Sequence, residues 1–339
     1  MARVGIVKPD HLGDLILASP AIRGILNWYG SNSVDLYIAS ACMPLADYLF
    51  PGARKYCSDF RHLSRGIVSN FDSTSLVGQL AKYDLVFCLR DDPQMRRLIA
   101  SLQTQTEIIN GDHRVHDTWI HKRTVCKRIP NYSRTVNFTD HVIAWPQDIQ
   151  HIGLCISAGF PTNRWPNINW LQLATLLSRD GIKVSLIGGP KERADLALLS
   201  ALLTNRAHRV IQGGSDFGAF FAELKTIDVV VASDGGTGHL CSLVKPMISL
   251  FSASPWRRYA PFGRSNLVLT MDLPCSPCVQ FSTNEVNCCV TRECVSRISP
   301  SAVYTAILSH GEDFSRIREL HVQRGTSHAF NFYPSEYDN

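Results

Sequence analysis

The chain has 339 residues, of which 45% are hydrophobic and 19% are charged. This composition excludes a disordered or coiled-coil protein. The length predicts two domains, because a single hydrophobic core rarely grows beyond about 250–300 residues. The 34 basic and 29 acidic residues leave a net charge of +5. Such an excess suits a small anionic ligand and is too weak for a nucleic-acid-binding surface, so no nucleic-acid partner is expected.

The N-terminal segment, the apolar runs and the cysteines indicate the cellular compartment of the chain. Asp10 and Asp14 lie where a secretory signal would be apolar, so no signal peptide is predicted. No apolar run approaches the ~18 residues of a membrane span, and the chain is expected in the cytoplasm. The scattered cysteines, interpreted as buried free thiols, are Cys42, Cys57, Cys88, Cys126, Cys155 and Cys241.

Strand-like and helix-like segments alternate along the chain. The first series has strands at 2–8, 34–40 and 83–89 and a helix at 12–30, followed by a stretch without strong strand patterns that ends in the polar segment 137–150. The second series has strands at 151–157, 183–189, 208–212, 228–234 and 246–252 and helices at 168–181, 191–203 and 217–227. Strands separated by helices indicate parallel βαβ units.

Two such series predict an α/β protein with two Rossmann-like domains facing across a cleft. We place the N-terminal domain at 1–148, the C-terminal domain at 149–310 and a polar tail, partly frayed, at 311–339. Ligands of open parallel sheets bind beyond the carboxyl ends of the strands. The residues that directly follow each strand are therefore the candidates for function.

The turn after the first strand carries an acidic candidate. Gly13 is expected to permit a tight turn, and Asp14 to lie in the first turn of the following helix. Asp14 either caps this helix or removes a proton from a hydroxyl acceptor. Asp10 and His11 flank it and are candidates to orient the carboxylate or the acceptor.

The glycine-rich turn after 228–234 favours a phosphate cradle over a simple strand–helix turn, because three glycines in four residues let a ligand approach the backbone. A helix is expected to begin near His239. The candidate binding residues are Asp234, Gly235, Gly236, Thr237, Gly238 and His239. The chain has no GxGxxG dinucleotide fingerprint and no Walker motif, which disfavours an oxidoreductase.

Two further turns add candidates with equally plausible structural roles. Ser157, Asn163 and Arg164 precede Trp165-Pro166, which is expected to start a helix with proline at its first position. Arg164 either neutralises a diphosphate or is a surface cation beside a packed tryptophan. Glu192 either accepts from ribose hydroxyls or stabilises a helix start.

Together, the segments LGDLILASPAIR, RWP, GGPKERA and SDGGTGHL, with KPMISLFSASP and YAPFG after them, resemble the glycosyltransferase family 9 heptosyltransferases, the ADP-heptose enzymes of lipopolysaccharide core assembly. The resemblance implies a GT-B fold, with the donor on the C-terminal domain and the acceptor on the N-terminal one. It also implies inverting transfer without a catalytic divalent metal. By the same resemblance, Asp14 matches the base, 234–239 the donor diphosphate and sugar loop, and Glu192 lies near a nucleoside contact.

One position departs from this family pattern. The lysine that usually stands two places before Trp-Pro and contacts the donor phosphates is Asn163 here. Arg164 beside it is a candidate substitute, because a guanidinium binds phosphate bidentately. The alternatives are accordingly another nucleotide sugar as the donor, or a nucleotide-sugar-binding protein without catalysis.

Five cysteines crowd into residues 275–294 and predict a metal site. The favoured ligands are Cys275, Cys278, Cys289 and Cys294, with Cys288 as a replacement for Cys289. Disulfides or free thiols are the alternatives. Zinc and iron both accept four thiolates, and the autotransporter branch of the family is known for a cysteine-bound iron. We expect a structural site remote from the chemistry.

Acceptor recognition is assigned to the segments 89–97 and 111–128 of the N-terminal domain. The second is basic, with Arg114, Lys122, Arg123, Lys127 and Arg128. It suits either a phosphorylated glycolipid at a membrane surface, with peripheral contact, or a solvated loop. A saccharide, a glycolipid and a protein all remain candidate acceptors, and the oligomeric state stays open.

Overall fold

The computed structural model describes residues 2–58, 73–111, 115–130, 143–203, 208–262, 266–271, 273–278, 289, 291–309 and 328–331. The chain divides into two compact units, residues 1–138 and 139–339. The boundary between the units, at 138/139, thus lies ten residues before the domain boundary expected at 148/149.

The first unit is built on a five-stranded parallel sheet. Its strands are β1 (Val4–Lys8), β2 (Val34–Ile38), β3 (Arg54–Cys57), β4 (Leu85–Cys88) and β5 (Gln105–Ile108). Its helices are α1 (Leu12–Tyr29), α2 (Met43–Leu49), α3 (Ser73–Leu80), α4 (Pro93–Ala100) and α5 (Asp117–Cys126). The strand order is β3-β2-β1-β4-β5. The central strands β1, β2 and β4 are buried along their whole length, as expected for a parallel sheet covered on both faces.

The second unit contains a seven-stranded sheet. Its strands are β6 (His151–Cys155), β7 (Lys183–Gly188), β8 (His208–Gln212), β9 (Val229–Ser233), β10 (Met247–Phe251), β11 (Asn266–Thr270) and β12 (His328–Asn331). Its helices are α6 (Asn167–Arg179), α7 (Arg193–Leu202), α8 (Phe217–Leu224), α9 (Gly236–Ser242), α10 (Trp256–Tyr259), α11 (Glu293–Ser296) and α12 (Pro300–Leu308). The order is β12-β11-β10-β9-β6-β7-β8, and β12 pairs antiparallel with β11.

Each sheet reverses its winding at one pair of central strands. In the first unit, β1 is followed on one side by β2 and β3, while β4 pairs with its other side. In the second unit, β6 is followed by β7 and β8 on one side, and β9 pairs with the other. The connections that leave these two strands lead to opposite sides of the sheet, and ligands of doubly wound sheets bind at the carboxyl ends of the strands at such a reversal.

The α/β alternation predicted from the sequence is present, but several elements were missed. The edge strands β3 and β5 lack an apolar run, because their side chains are exposed or only partly buried. The segments treated as loops at 89–97 and 111–128 contain parts of α4 and α5. Within the predicted polar tail, β12 completes the second sheet, while most of that tail lies outside the described residues.

The predicted buried thiols divide into two groups. Cys42, Cys88, Cys155 and Cys241 are buried as expected. The prediction was wrong for Cys57 and Cys126, which are exposed at the ends of β3 and α5. In the described part of the chain, no helix combines the length and apolar character needed to cross a bilayer.

Candidate functional site

The turn after β1 places Asp14 in the first turn of α1. The Asp14 carboxylate accepts a hydrogen bond from the His11 backbone N–H at 3.3 Å, so it caps the helix. Gly13 lies inside α1 and makes no tight turn, which corrects that prediction. Asp14 is only half-buried, so its capping role leaves part of the carboxylate accessible at the switch point of the first sheet.

A buried charged network lies beside Asp14. The Lys8 ammonium is 2.9 Å from the Asp10 carboxylate, and Arg90 after β4 is 3.4 Å from the other Asp10 oxygen. All three side chains are almost fully buried. Burial lowers the pKa of Lys8, but the charges of Asp10, Asp14 and Asp117 outweigh it and leave the pKa raised. Lys8 therefore stays protonated and exerts a positive potential on Asp14.

Most of the described side chains of the predicted basic segment 111–128 are buried in the first unit or form ion pairs within it. Lys122 is buried in α5, while Lys127 and Arg128 both pair with Glu107, at 3.5 and 2.6 Å. Arg114 lies outside the described residues. Arg123 is exposed on α5. The basic segment therefore combines buried or paired side chains with one exposed guanidinium.

In the second unit, the loops after β6 and β9 lie in direct contact. The Gly159 N–H donates to the Asp234 carbonyl at 2.8 Å. A Cβ on Gly235 would come within 3.0 Å of backbone atoms of residues 157–159. Gly235 thus has a packing role, and the inference that all three glycines serve ligand approach was too broad. A Cβ on Gly238 would likewise meet Ala232 at 3.2 Å.

The helix expected near His239 begins earlier, at Gly236. The residues Gly236, Thr237 and Gly238 therefore form its first turn, where backbone N–H groups have no partner within the helix. Gly236 and Thr237 are half-buried, whereas His239 is buried. The exposed side of this first turn is the part that a ligand reaches.

Asn163 joins three of the loops at this edge. Its side chain is fully buried, and its amide nitrogen donates to the Asp234 carboxylate at 2.7 Å and to the Ser254 hydroxyl at 2.9 Å. Its amide oxygen accepts from the Ser252 hydroxyl at 3.1 Å. Ser252 and Ser254 follow β10, so the loops after β6, β9 and β10 are held together by one side chain.

Glu192 and Ser157 are also tied to one another. One Glu192 oxygen accepts from the Ser157 hydroxyl at 2.8 Å and from the Gly189 N–H at 3.0 Å. A Cβ on Gly189 would lie 3.1 Å from the Glu192 carboxylate and 3.5 Å from the Thr237 hydroxyl. The polar groups that follow β6, β7 and β9 therefore surround Gly189.

Arg164 turns toward a different partner. Its guanidinium lies 3.2 Å from the Asp195 carboxylate near the start of α7. That carboxylate also accepts from the Asn167 amide at 3.3 Å. Pro166 precedes α6 instead of opening it, which corrects the predicted helix start. Arg164 is partly exposed, so the pair with Asp195 leaves one side of the guanidinium accessible.

The cysteine segment, residues 273–298, contacts the same loops. The Cys278 N–H donates to the Ala253 carbonyl at 3.0 Å, and the Ser276 hydroxyl donates to the Ser252 carbonyl at 2.6 Å. Arg292 donates to the Pro161 carbonyl at 3.1 Å. The expectation that this segment is remote from the candidate site was therefore wrong.

Four cysteines of this segment are neighbours. Cys275, Cys278 and Cys289 are exposed, and Cys294 is buried. Burial raises the pKa of the Cys294 thiol, and the three other cysteines raise it further. Cys288 lies outside the described residues. Among the residues with described positions, no group of three or more His, Cys, Asp or Glu side chains is arranged to hold a metal ion. The described thiols alone thus do not fit a metal.

The fold and these loops can be compared with known proteins. A family model described as glycosyltransferase family 9 (heptosyltransferase) matches residues 127–288, which include the loops after β6, β7 and β9. Lipopolysaccharide heptosyltransferase 1 of Pseudomonas aeruginosa is 31% identical over 121 residues. That match covers 35% of this chain and 33% of the relative, so the aligned part spans about a third of its length.

Two solved structures are similar over nearly the whole chain. E. coli heptosyltransferase WaaC with ADP has a TM-score of 0.61 at 16% identity, covering 91% of this chain and 100% of that one. E. coli ADP-heptose lps heptosyltransferase II has a TM-score of 0.63 at 16% identity, covering 92% and 100%. The chain is similar to glycosyltransferase family 9 over residues 127–288, and its fold is that of the two heptosyltransferase structures.

The resemblance predicted from the motifs is therefore confirmed, and so is the two-domain GT-B fold class. The matched region contains Asn163 and Asp234 but begins well after Asp14. Sequence reasoning missed Ser252, the last residue of a predicted strand, and Ser254, which follows that strand. It also missed the partners of Asp10, because nothing in the local pattern shows that Lys8 and Arg90 are buried.

A pair of glycine substitutions tests the contact between the loops after β6 and β9. We expect Gly235→Ala to lower the free energy of unfolding by about 1–3 kcal/mol, because the new methyl group meets backbone that cannot rotate away. Gly159→Ala is the matched control, since its Cβ would lie at an ordinary 3.7 Å from the nearest atom. Denaturant unfolding compares the two, and equal stabilities would contradict the described contact.

The metal hypothesis for the cysteine segment remains a prediction with a direct measurement. Protein produced with zinc and iron supplied should contain about one metal per chain by elemental analysis, if residues outside the described set complete a four-thiolate site. Removal of that metal should then increase the number of thiols that react with a colorimetric reagent. The site would be ruled out if the protein contained no metal and the five cysteines of residues 275–294 all reacted with the reagent without a chelator.

Proposed function

We propose that the chain is an inverting glycosyltransferase that transfers heptose from ADP-heptose to a hydroxyl acceptor. The observation that carries the proposal is the convergence of polar loops after β6, β7, β9 and β10 at the switch point of the second sheet. The family model covers all four of these loops. One of the similar structures is a heptosyltransferase with ADP and the other is an ADP-heptose heptosyltransferase, which favours the same donor here.

The donor side of the proposal assigns the diphosphate to the turn 234–239. Backbone N–H groups at the start of a helix, together with its dipole, stabilise an anion. Thr237 adds a hydroxyl beside Gly189, and Ser157 and Glu192 form the neighbouring wall. The accessible side of the Arg164 guanidinium supplies positive charge near this wall. The carboxylate–hydroxyl pair of Glu192 and Ser157 suits a nucleoside hydroxyl better than a phosphate.

The proposal assigns Asp14 as the general base. Its carboxylate takes the proton of the acceptor hydroxyl as that oxygen forms the new bond to the anomeric carbon of the sugar. The bond from this carbon to the phosphate oxygen breaks, and the nucleoside diphosphate leaves with the electron pair. No metal ion takes part in this scheme, as the family resemblance implies.

The acceptor is proposed to be a saccharide like that of the lipopolysaccharide core or another glycoconjugate. A second donor has one observation in its favour: Asn163, at the place of the family's phosphate-contacting lysine, is fully buried and bonded to Asp234. The amide brings no positive charge, so another nucleotide sugar is the alternative. A nucleotide-sugar-binding protein without catalysis is less well supported, because Asp14 is present at the switch point.

Asp14→Asn tests the base. The amide oxygen can still accept from the His11 N–H, so the cap and the fold should persist while the proton acceptor is lost. We expect release of ADP from ADP-heptose in the presence of acceptor to fall by about 10²–10⁴-fold, with donor binding changed less than about threefold.

Asp47→Asn is the control for this variant, since Asp47 is an exposed carboxylate that pairs with Lys55 away from the turn. Both variants and the unmodified protein are assayed with and without EDTA. Full activity of Asp14→Asn would remove Asp14 from the mechanism. Activity abolished by EDTA and restored by magnesium would contradict a metal-free step.

A thermal-shift series identifies the donor nucleotide. A ligand that binds only the folded state raises the unfolding temperature according to its concentration and Kd. ADP and ADP-heptose should stabilise the protein at about 100-fold lower concentration than the UDP, GDP and dTDP counterparts. Stabilisation by a different nucleotide would transfer the proposal to that donor. The absence of a shift with every nucleotide would overturn the proposal.

A further inference from the structure

The short segment between β1 and α1, residues 9–11, is neither helix nor strand, so its carbonyl groups need partners from other elements. A guanidinium N–H of Arg90 donates to the Pro9 carbonyl at 3.3 Å. The Cys42 thiol donates to the Asp10 carbonyl at 3.2 Å. Side chains that follow β2 and β4 therefore bind the backbone that leads into α1.

Arg90 also contacts two carboxylates. Its guanidinium lies 3.4 Å from one Asp10 oxygen, and its Nε donates to Asp92. Asp92 is itself held by the start of α4, because its other oxygen accepts from the N–H groups of Gln94 and Met95 at 2.8 and 2.9 Å. Arg90 thus joins the start of α4 to the segment after β1.

The burial and the shape of the Arg90 side chain decide what it can do. Arg90 is only 6% exposed, so its guanidinium is not available to an acceptor in solution. The planar guanidinium presents several N–H donors in a fixed arrangement, which lets one side chain serve Pro9, Asp10 and Asp92 together. The expected role of residues 89–97 in acceptor recognition therefore does not extend to this side chain.

The position of Asp14 depends on the same segment. The His11 N–H, which directly follows Asp10, donates to the Asp14 carboxylate at 3.3 Å. A shift of Asp10 therefore moves the group that Asp14 accepts from. Misplacement of a catalytic group by about 1 Å can lower a rate by about 10²-fold.

We infer that Arg90 is a positioning residue for Asp14. It holds Pro9 and Asp10 against the start of α4, and in this way fixes where the Asp14 carboxylate meets the acceptor hydroxyl. Arg90 itself touches no substrate. This role rests on the proposed function, because Asp14 has a proton to take only if the chain transfers a sugar.

Arg90→Lys is the informative variant. Lysine keeps the positive charge inside the buried network, but its ammonium is a point donor that cannot replace the planar guanidinium at all three acceptors. The assay measures release of ADP from ADP-heptose with a heptose-free lipopolysaccharide core saccharide as the acceptor. We expect kcat to fall by about 10–100-fold, while the KM values of donor and acceptor change less than about threefold.

A double-mutant cycle separates positioning of Asp14 from a general structural role. In the Asp14→Asn background the base is already lost, so its placement no longer matters. Arg90→Lys should then lower the residual rate by less than about twofold. A purely structural role would produce the same fall in both backgrounds.

Arg54→Lys is the matched control, because Arg54 has a similar set of partners. Its Nε donates to the buried Asp35 carboxylate at 2.6 Å, and a second N–H donates to the Asn32 carbonyl at 3.2 Å. These contacts lie at the amino ends of β2 and β3, on the opposite edge of the parallel sheet from Asp14. We expect kcat of Arg54→Lys to change less than about twofold.

Amide hydrogen exchange, measured by mass spectrometry, gives a readout that does not require activity. Exchange in a peptide that covers residues 9–14 should be faster in Arg90→Lys than in the unmodified protein, because the segment has lost part of its support. The same peptide of Arg54→Lys should exchange as in the unmodified protein. Thermal unfolding of both variants reports any general loss of stability.

Asp92→Asn provides the test if Arg90→Lys does not fold. Asparagine caps a helix about as well as aspartate does, so α4 should persist. The hydrogen bond from Arg90 loses its charged acceptor and becomes weaker. We expect a smaller fall in kcat, of about 3–10-fold, which again disappears in the Asp14→Asn background.

The outcomes distinguish the role of Arg90 from the proposed function. If the unmodified protein transfers no sugar from any nucleotide sugar, the proposed function fails and the role of Arg90 fails with it. If the protein is active, four results overturn the role of Arg90 alone. These are an unchanged kcat, a raised KM of the acceptor at unchanged kcat, an equal fall in the Asp14→Asn background, and unchanged exchange in residues 9–14.

Discussion

The reversal of winding in each parallel sheet is the constraint on which both candidate sites depend. At such a reversal the connections from two adjacent strands lead to opposite sides of the sheet, so polar side chains can be placed at the carboxyl ends of both strands. In the first unit this edge carries Asp14 above the buried pair of Lys8 and Asp10. In the second unit it carries Asp234 in contact with Asn163. The same topology thus places an acidic side chain at the carboxyl edge of each sheet. The side chains that contact it or lie beside it differ between the two units.

The support differs in charge. Asp10 is compensated by two buried cations, Lys8 and Arg90, at 2.9 and 3.4 Å. Asp234 receives a neutral amide. Removing one partner of a buried ion pair lowers stability, because the other charge is left buried and unpaired. Substitution of Lys8, Asp10 or Arg90 is therefore expected to destabilise the first unit. In the family pattern, the position of Asn163 is held by a lysine, so the two arrangements differ in the charge of the donor.

The sequence predicted the central strands well and the edges poorly, for a physical reason. A strand such as β9 is apolar throughout because both faces are covered, whereas β3 and β5 are edge strands with exposed residues and no apolar run. The position of Asp14 in the first turn of α1 also followed from local pattern. The bond between Asn163 and Asp234 did not, because contacts across 71 residues depend on how loops pack.

The hydrogen bonds from the cysteine segment to residues 252–254 have a mechanical consequence. The Ser276 hydroxyl donates to the Ser252 carbonyl and the Cys278 N–H to the Ala253 carbonyl. The Arg292 guanidinium donates to the Pro161 carbonyl. A change in the conformation of the cysteine segment would therefore alter the positions of Ser252, Ala253 and Pro161, and with them the loops on both sides of Asn163.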